Sequence, residues 1–289
     1  MDTGANRSAR PYRPLICTIG DLILDVVVLP KAPLAPDGDT PATIRLSAGG
    51  QAANVAAWAS ALGARSRLIC ARGTDEASEI ATAQLERHGV EICGPLIEGG
   101  GGVVVSTREP DGARTMASDP GVAARLGAAA LDPSWVHAAD VLHVSGYCLL
   151  RESSAEAAIA AARLAGRVTL DLASAHDIEL YGAERFTSMV RSLAPDLVFA
   201  NEAERDVVPA LEANWVIKRG SRGAIFPEGQ FAAGAVTVVD TTGAGDALAA
   251  GYLVGGPELA ITAAALCVER VGAMPSSAAT ASTSSPATA

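Results

Sequence analysis

Asp240-Thr241-Thr242-Gly243-Ala244-Gly245-Asp246, followed by Ala247-Leu248-Ala249-Ala250-Gly251-Tyr252-Leu253, is the stretch on which the reading of this chain turns. The β-rich residues Val236 to Val239 precede it, and an Ala-rich helical pattern follows its two glycines. The expected local structure is strand, small-residue turn, helix. The peptide N–H groups of residues 244 to 246 would then point out of a helix N-terminus, which makes an anion site. Glycines at 243 and 245 let a phosphate approach the backbone closely. Asp246 stands in the same first turn, where a carboxylate can take a proton from a hydroxyl while the N–H groups stabilise charge on the group that hydroxyl attacks. A plainer reading makes Asp246 a first-turn carboxylate favoured by the helix dipole in an ordinary strand-to-helix connection.

Toward the N-terminus, Leu15 to Ile19 reads as a strand buried on both faces of a parallel sheet, ending at Gly20-Asp21. The apolar run Ile23 to Leu29 is interrupted by Asp25, which either faces water at a sheet edge or meets a polar ligand at a strand end. A Pro/Gly/Asp loop over 30–41 and an alternating strand from Thr43 to Ser47 follow. Ala48-Gly49-Gly50-Gln51-Ala52-Ala53-Asn54 then opens a helix to about Leu62, with Asn54 a polar residue among apolar neighbours. Gly99 to Gly102 leads into Val103-Val104-Val105, a turn over 108–114 and Thr115-Met116, which reads as a hairpin. Arg114 in it is either a solvated charge or a contact to an acidic ligand group.

From residue 131 strands at 141–144, 168–171, 197–199 and 215–218 alternate with helices at 153–164 and around 182–193. That texture implies a parallel sheet with sites at the strand C-terminal ends. His143 is expected to be a satisfied core histidine, because no ligating residue stands at metal-site spacing from it. Asn201 and Glu204 have the spacing of a capping box. Lys218 ends a strand before Arg219-Gly220-Ser221-Arg222-Gly223, and the last helix is expected over Glu258 to Val271.

The 289 residues, 49% of them hydrophobic, suffice for one large α/β core, and a net charge of −10 with pI near 4.9 argues against nucleic acid or an anionic membrane surface as partner. Five scattered cysteines form no disulfide framework. The first residues lack an apolar leader segment, so a cytoplasmic enzyme with a flexible N-terminus over 1–14 is expected. Residues 275–289, rich in Ser, Thr, Ala and Pro, are expected to be a disordered tail.

Residues 240–253 resemble the C-terminal signature of the PfkB (ribokinase-like) family of sugar and nucleoside kinases, and Gly49-Gly50 with Asn54 resembles its N-terminal one. The resemblance spans about residues 15–274. It implies an α/β, three-layer fold with a mostly parallel central sheet flanked by helices, and a small β lid from about 24–47 and 99–116. It implies that Asp246 is the catalytic base, with Gly243, Ala244 and Gly245 in the anion hole. Asp25, Gly50, Asn54 and Arg114 would meet the sugar, while Lys218, Gly220, Ser221, Gly223 and Thr242 would meet ATP. Asn201 and Glu204 would arrange water around Mg²⁺, and the loop after the last helix would help to hold a monovalent cation such as K⁺. Departures are Gln51, where ribokinases carry lysine, and Asp171-Leu172-Ala173, where related kinases often have Asp-Pro-Asn.

The implied reaction moves the γ-phosphate of ATP to a sugar hydroxyl, as in ribokinase, fructokinase or 2-keto-3-deoxygluconate kinase. A nucleoside kinase acting on adenosine or pseudouridine is the alternative, mildly disfavoured by an aromatic content of 4%. A non-catalytic sugar- or nucleotide-binding regulator is a further alternative, against which the intact Asp246 loop argues. No Walker A sequence is present. A homodimer is one assembly the resemblance allows.

Overall fold

A computed structural model describes residues 12–108, 114–208 and 211–276. The chain enters with β1 (Leu15–Ile19), passes through β2 (Ile23–Pro30) and β3 (Ala42–Gly49), and returns through α1 (Gln51–Ala61), β4 (Arg65–Ile69), α2 (Glu76–Arg87) and β5 (Val90–Cys93). Next come β6 (Gly102–Arg108), β7 (Arg114–Asp119), β8 (Val141–Ser145), α3 (Glu152–Ala162) and β9 (Val168–Asp171). The last part holds α4 (Ala175–Tyr181), α5 (Ala183–Leu193), β10 (Leu197–Asn201), α6 (Glu202–Val207), β11 (Asn214–Lys218), β12 (Ala224–Phe226), β13 (Gly229–Phe231), α7 (Ala244–Gly255) and α8 (Pro257–Val268).

Nine strands form one sheet in the order β13-β12-β11-β10-β9-β8-β1-β4-β5, parallel from β11 to β5 and antiparallel only at the β12–β13 edge. Its central strands are buried on both faces, which is why β1 is apolar at nearly every position. One face packs on α3, α4 and α5 through Leu142, Val144, Leu170 and Phe186. The other packs on α1, α7 and α8 through Ile16, Phe199, Val216 and Leu248. The expected three layers are therefore present. A second sheet, in the order β3-β2-β6-β7, is the expected lid. Its register places Val26, Leu46 and Val105 in one row, and Leu46 and Val105 are exposed there together with Ile44.

His143 is buried as expected, its Nδ1 2.9 Å from the Thr169 hydroxyl and its ring edge-on to Phe199, but it is only half satisfied, since its Nε2 has no partner among the described residues; burial lowers its pKa to about 4. Several expectations are corrected. Val236 to Val239 form no strand: the Val239 and Asp240 N–H groups donate to the Val268 carbonyl at the end of α8, and Val236, Val238 and Val239 are exposed. β propensity expresses fit to a half-buried pleated surface, and no such surface receives these valines. The last helix stops at Val268 rather than Val271. α4 was not foreseen; Ser174 caps it, accepting from the Asp177 N–H. Of the N-terminus expected to be flexible, residues 12 and 13 are fastened, Tyr12 donating to Asp140 and Arg13 to the carbonyls of Gly63 and Ala64. Of the expected tail, only Pro275 and Ser276 lie among the described residues, and Pro275 is buried.

Trp58, buried in α1, donates its indole N–H to the Ala273 carbonyl at 2.8 Å. That bond joins α1 to the turn after α8. Trp58→Phe retains the ring packing but leaves the buried Ala273 carbonyl only the long contact from the Cys267 thiol at 3.9 Å, so the variant should lose about 1–3 kcal/mol of stability, read by urea unfolding.

Candidate active site

Asp240 assembles the loop in front of α7. Its Oδ1 accepts from the Thr242 N–H at 3.0 Å and hydroxyl at 2.7 Å, and its Oδ2 accepts from the Gly272 N–H at 3.0 Å. One carboxylate thus fixes the loop against the turn that follows α8. Gly243 caps the helix at φ 77°, and a Cβ there would fall 2.4 Å from the Ala273 Cβ, so only glycine fits. The Ala244 N–H turns back to Thr241 O at 3.3 Å, a long bond that narrows the expected donor set. The N–H groups of Gly245 and Asp246, in the first turn, have no intrahelical acceptor, and the dipole favours an anion in front of them.

α1 and α7 bring the two ends of the chain together. Asn54, one turn into α1, donates through Nδ2 to Asp246 Oδ2 at 2.7 Å, across 192 positions of sequence. Asp246 Oδ1 is left to take a proton. The Asn54 carbonyl oxygen is buried without a partner among the described residues, a costly condition that a ligand hydroxyl would relieve. Burial, reinforced by the negative charge of Asp171, pushes the Asp246 carboxyl up to about 8 despite the opposing Asn54 bond and the Lys218 cation.

The glycine pair before α1 sits against acidic groups. A Cβ at Gly49 would come 2.2 Å from Asp25 Oδ2, so the carboxylate lies directly over that backbone. Asp25 itself is in β2, between Ser47 and Val104 of the neighbouring strands. Gly50 has φ 99°, and a Cβ there would stand 2.6 Å from the Asp21 carbonyl. Asp21 at the end of β1 is drawn to the N–H groups of Gln51 and Ala52, while burial raises its pKa and leaves one carboxylate oxygen unpartnered among the described residues. Gln51 Oε1 accepts from the Ser145 hydroxyl at 2.7 Å and the Gly146 N–H at 3.2 Å. It therefore braces the end of β8, where a lysine would have offered charge. Arg114 opens β7 opposite Arg108, and its side chain lies outside the described part.

Asn201 and Glu204 make the capping box in full. The Asn201 Oδ1 accepts from the Glu204 N–H at 2.8 Å, and Glu204 accepts from the Asn201 N–H at 2.8 Å and its amide at 2.7 Å. Burial raises the Glu204 pKa, and Asp171 adds to the effect while Lys218 opposes it. Lys218 donates to both oxygens of the fully buried Asp171, at 2.9 and 2.8 Å. Gly220 and Ser221 lie in a tight turn closed by Gly223 between β11 and β12, and flanking it Arg219 and Arg222 both pair with Glu202 at the surface. Such exposed pairs stabilise little.

The structure thus joins Asn54, Asp246, Gly243 and Thr242 in one place. Sequence reading missed the organising carboxylate of Asp240 and the Asp171–Lys218 pair. A charged residue ending each of two apolar strands was the only signal for that pair, and pairing across 47 positions is not visible locally.

Comparison with known proteins gives one answer. Residues 13–281 match the pfkB family carbohydrate kinase domain. The chain is 31% identical over 238 residues to an ATP-dependent ribose-1-phosphate kinase from Halopiger xanaduensis, covering 75% of this chain and 77% of that protein. Among solved structures it superposes on adenosine kinase from Sinorhizobium meliloti with a TM-score of 0.81, 23% identity, and coverage of 93% of this chain and 98% of that one. Ribokinase from Thermotoga maritima gives 0.71, at 19% identity, with 92% and 98% covered. These likenesses show the ribokinase-like fold. Among the described residues no helix is long and apolar enough to cross a membrane.

The raised pKa of Asp246 has a measurable signature. Between about pH 4 and 8 the folded state holds a proton that the unfolded chain has released, so this group's contribution to stability is full below the unfolded value of 3.8 and is lost as pH rises through about 8. Asp246→Asn has no such loss. Its melting temperature relative to the parent should therefore climb between pH 5 and pH 9, and a flat difference would show that the carboxyl titrates normally.

Proposed function

Because the chain belongs to the pfkB family of carbohydrate kinases, we propose that it transfers the γ-phosphate of ATP to a sugar hydroxyl, with Asp246 as general base. The observation that carries the reading is the hydrogen bond that holds one Asp246 oxygen on Asn54 while the other stays open, in the first turn of α7. A hydroxyl placed there can give its proton to Oδ1 as its oxygen attacks phosphorus. The Gly245 and Asp246 N–H groups and the helix dipole stabilise the charge on the transferring phosphoryl group, and Gly243 and Ala244 shape that anion hole. Asp25 and the open Asn54 oxygen orient the acceptor's other hydroxyls, with Gly50 allowing the close approach. Gly220, Ser221 and Gly223, with Thr242, line the nucleotide side.

Asn201 and Glu204 suit Mg²⁺ only through its hydration shell. Both Glu204 oxygens already accept from Asn201, and an all-oxygen donor set that leaves the ion its waters is what Mg²⁺ prefers. When bound, the ion would neutralise phosphate charge. The cap alone is worth about 0.5–2 kcal/mol whether or not metal is present.

For the acceptor, a phosphorylated pentose such as the ribose 1-phosphate of the Halopiger relative is the first candidate. Lid register supports an anionic sugar, since Arg45 lies opposite Val27, two residues along from Asp25 and so on its face, and Arg108, which also donates to the Val239 carbonyl, continues that face on β6. A nucleoside is the second candidate. The apolar row of Leu46 and Val105 on the lid's opposite face supports a homodimer joined through lids.

An acceptor panel of ribose 1-phosphate, ribose, fructose, 2-keto-3-deoxygluconate and adenosine, assayed with ATP and Mg²⁺, separates these readings. The expected result is turnover on a sugar, with Asp246→Asn slowed about 10²- to 10⁴-fold while ATP still binds. Near-native turnover of that variant would remove the base role. Asp25→Ala should weaken the acceptor and leave ATP affinity almost unchanged, and an equal loss of both would return Asp25 to a structural part. Glu204→Gln should keep a near-native melting temperature and need much more Mg²⁺, whereas unchanged Mg²⁺ dependence would leave the pair as a cap alone.

A further inference from the structure

Lys218 is placed in an unusual setting for a lysine at a strand end. Its ammonium is shared between both oxygens of Asp171, a carboxylate with no exposed surface at the end of β9. The side chain then runs beneath the α7 loop. A methyl group on Gly245 would come within 3.3 Å of Nζ and 3.4 Å of Cδ, so Gly245 is the point at which the loop rests on this lysine. Burial alone would lower the lysine's pKa, but Asp171, Glu204 and Asp246 together hold it above its ordinary value. Three carboxylates therefore act on one cation. Without it the fully buried Asp171 carboxylate would be left unpaired next to the anion hole, at the place where ATP must deliver more negative charge.

We infer that the Asp171–Lys218 pair is a positioning and charge-compensating element of phosphoryl transfer, with Lys218 acting through the Gly245 backbone and Asp171 fixing its direction. The inference rests on the kinase reading above and extends it to residues outside the loop. Two of the three ammonium protons are committed to Asp171, so the lysine is held in place rather than free to follow a phosphate in solution. A fixed cation next to oriented N–H groups contributes most where charge develops during the reaction, since it needs no reorganisation at that moment. It should thus act on kcat more than on the KM for ATP. A lysine that simply contacted ATP would move KM first.

Lys218→Met alone leaves Asp171 buried and unpaired and is expected to be poorly folded. The informative variant is Asp171→Leu/Lys218→Met, which replaces the pair with apolar groups of similar size and should keep a near-native melting temperature. Turnover of the best panel acceptor should fall about 10²-fold or more, with the KM for ATP changed by less than about threefold. The reversed pair, Asp171→Lys/Lys218→Asp, keeps two opposite charges but puts the anion under Gly245, and should be slower than the neutral variant. If the neutral variant is stable and turns over within about threefold of the parent, or the reversed pair matches it, the inference fails and the pair is structural alone. The parent enzyme and Asp246→Asn are measured alongside. A parent inactive on every acceptor overturns the kinase reading and this inference with it, whereas an active parent with a sensitive Asp246 and an insensitive neutral pair overturns this inference only.

Discussion

Asn54 and Asp246 meet at 2.7 Å although they stand at opposite ends of the chain, and that contact sets the terms for the rest of the site. It requires α1 and α7 to approach closely. On α1 the residues that share a buried cluster with α7 are Val55, Trp58 and Ala59, and on α7 they are Ala247, Leu248, Ala249 and Ala250. Larger side chains at the alanines among them would push the helices apart and separate the amide from the carboxylate. The small residues of α7, Ala247, Ala249 and Ala250, thus let it pack closely on the Val55, Trp58 and Ala59 face of α1. Trp58 and the turn after α8 lock the same arrangement from the side.

A second constraint is electrostatic. Asp171, Glu204 and Asp246 are gathered around Lys218, and burial raises the pKa of Glu204 and Asp246. Charged groups withdrawn from water cost stability unless they are paired and hydrogen-bonded. Here each has a stated partner: Asp171 has Lys218, Glu204 has Asn201, and Asp246 has Asn54. Beside these groups, the Asn54 carbonyl oxygen and one oxygen of Asp21 are among the buried polar atoms without a partner among the described residues. At such a place a ligand group or a water can complete a buried polar atom that has no partner.

The lid shows how one sheet serves two surroundings. Strand alternation sends Asp25 to one face and Val26 to the other, so a polar face and an apolar face follow from a period of two. One face carries Asp25, Ser47, Arg45 and Arg108 together with Val27 and Met116, while the other is left exposed at Ile44, Leu46 and Val105. The homodimer proposed above rests on this exposed apolar sheet face.

Much of this was legible in the sequence. The alternation of strands and helices after residue 131, the two-faced burial of β1, the glycine pair before α1 and the Asn201–Glu204 box are local patterns, each decided by residues within a few positions of one another. The Gly243-Ala244-Gly245-Asp246 loop was legible for the same reason, since a left-handed glycine before a helix and a first-turn carboxylate are neighbours in the chain. What the sequence could not decide were the contacts between distant segments. Val236, Val238 and Val239 before the loop promised a strand, but with no half-buried sheet surface to receive them they became an exposed segment held by α8. Asp171 and Lys218 each looked like an isolated charge at the end of an apolar strand, and only the β9-β10-β11 order places them side by side across the strand between them. The bond from Asn54 to Asp246 likewise exists only because α1 and α7 pack together. Local propensity and spacing fix which elements form, whereas a buried charge finds its partner only through the topology that closes the sheet, because desolvation acts on the folded whole and leaves no trace in the neighbouring letters.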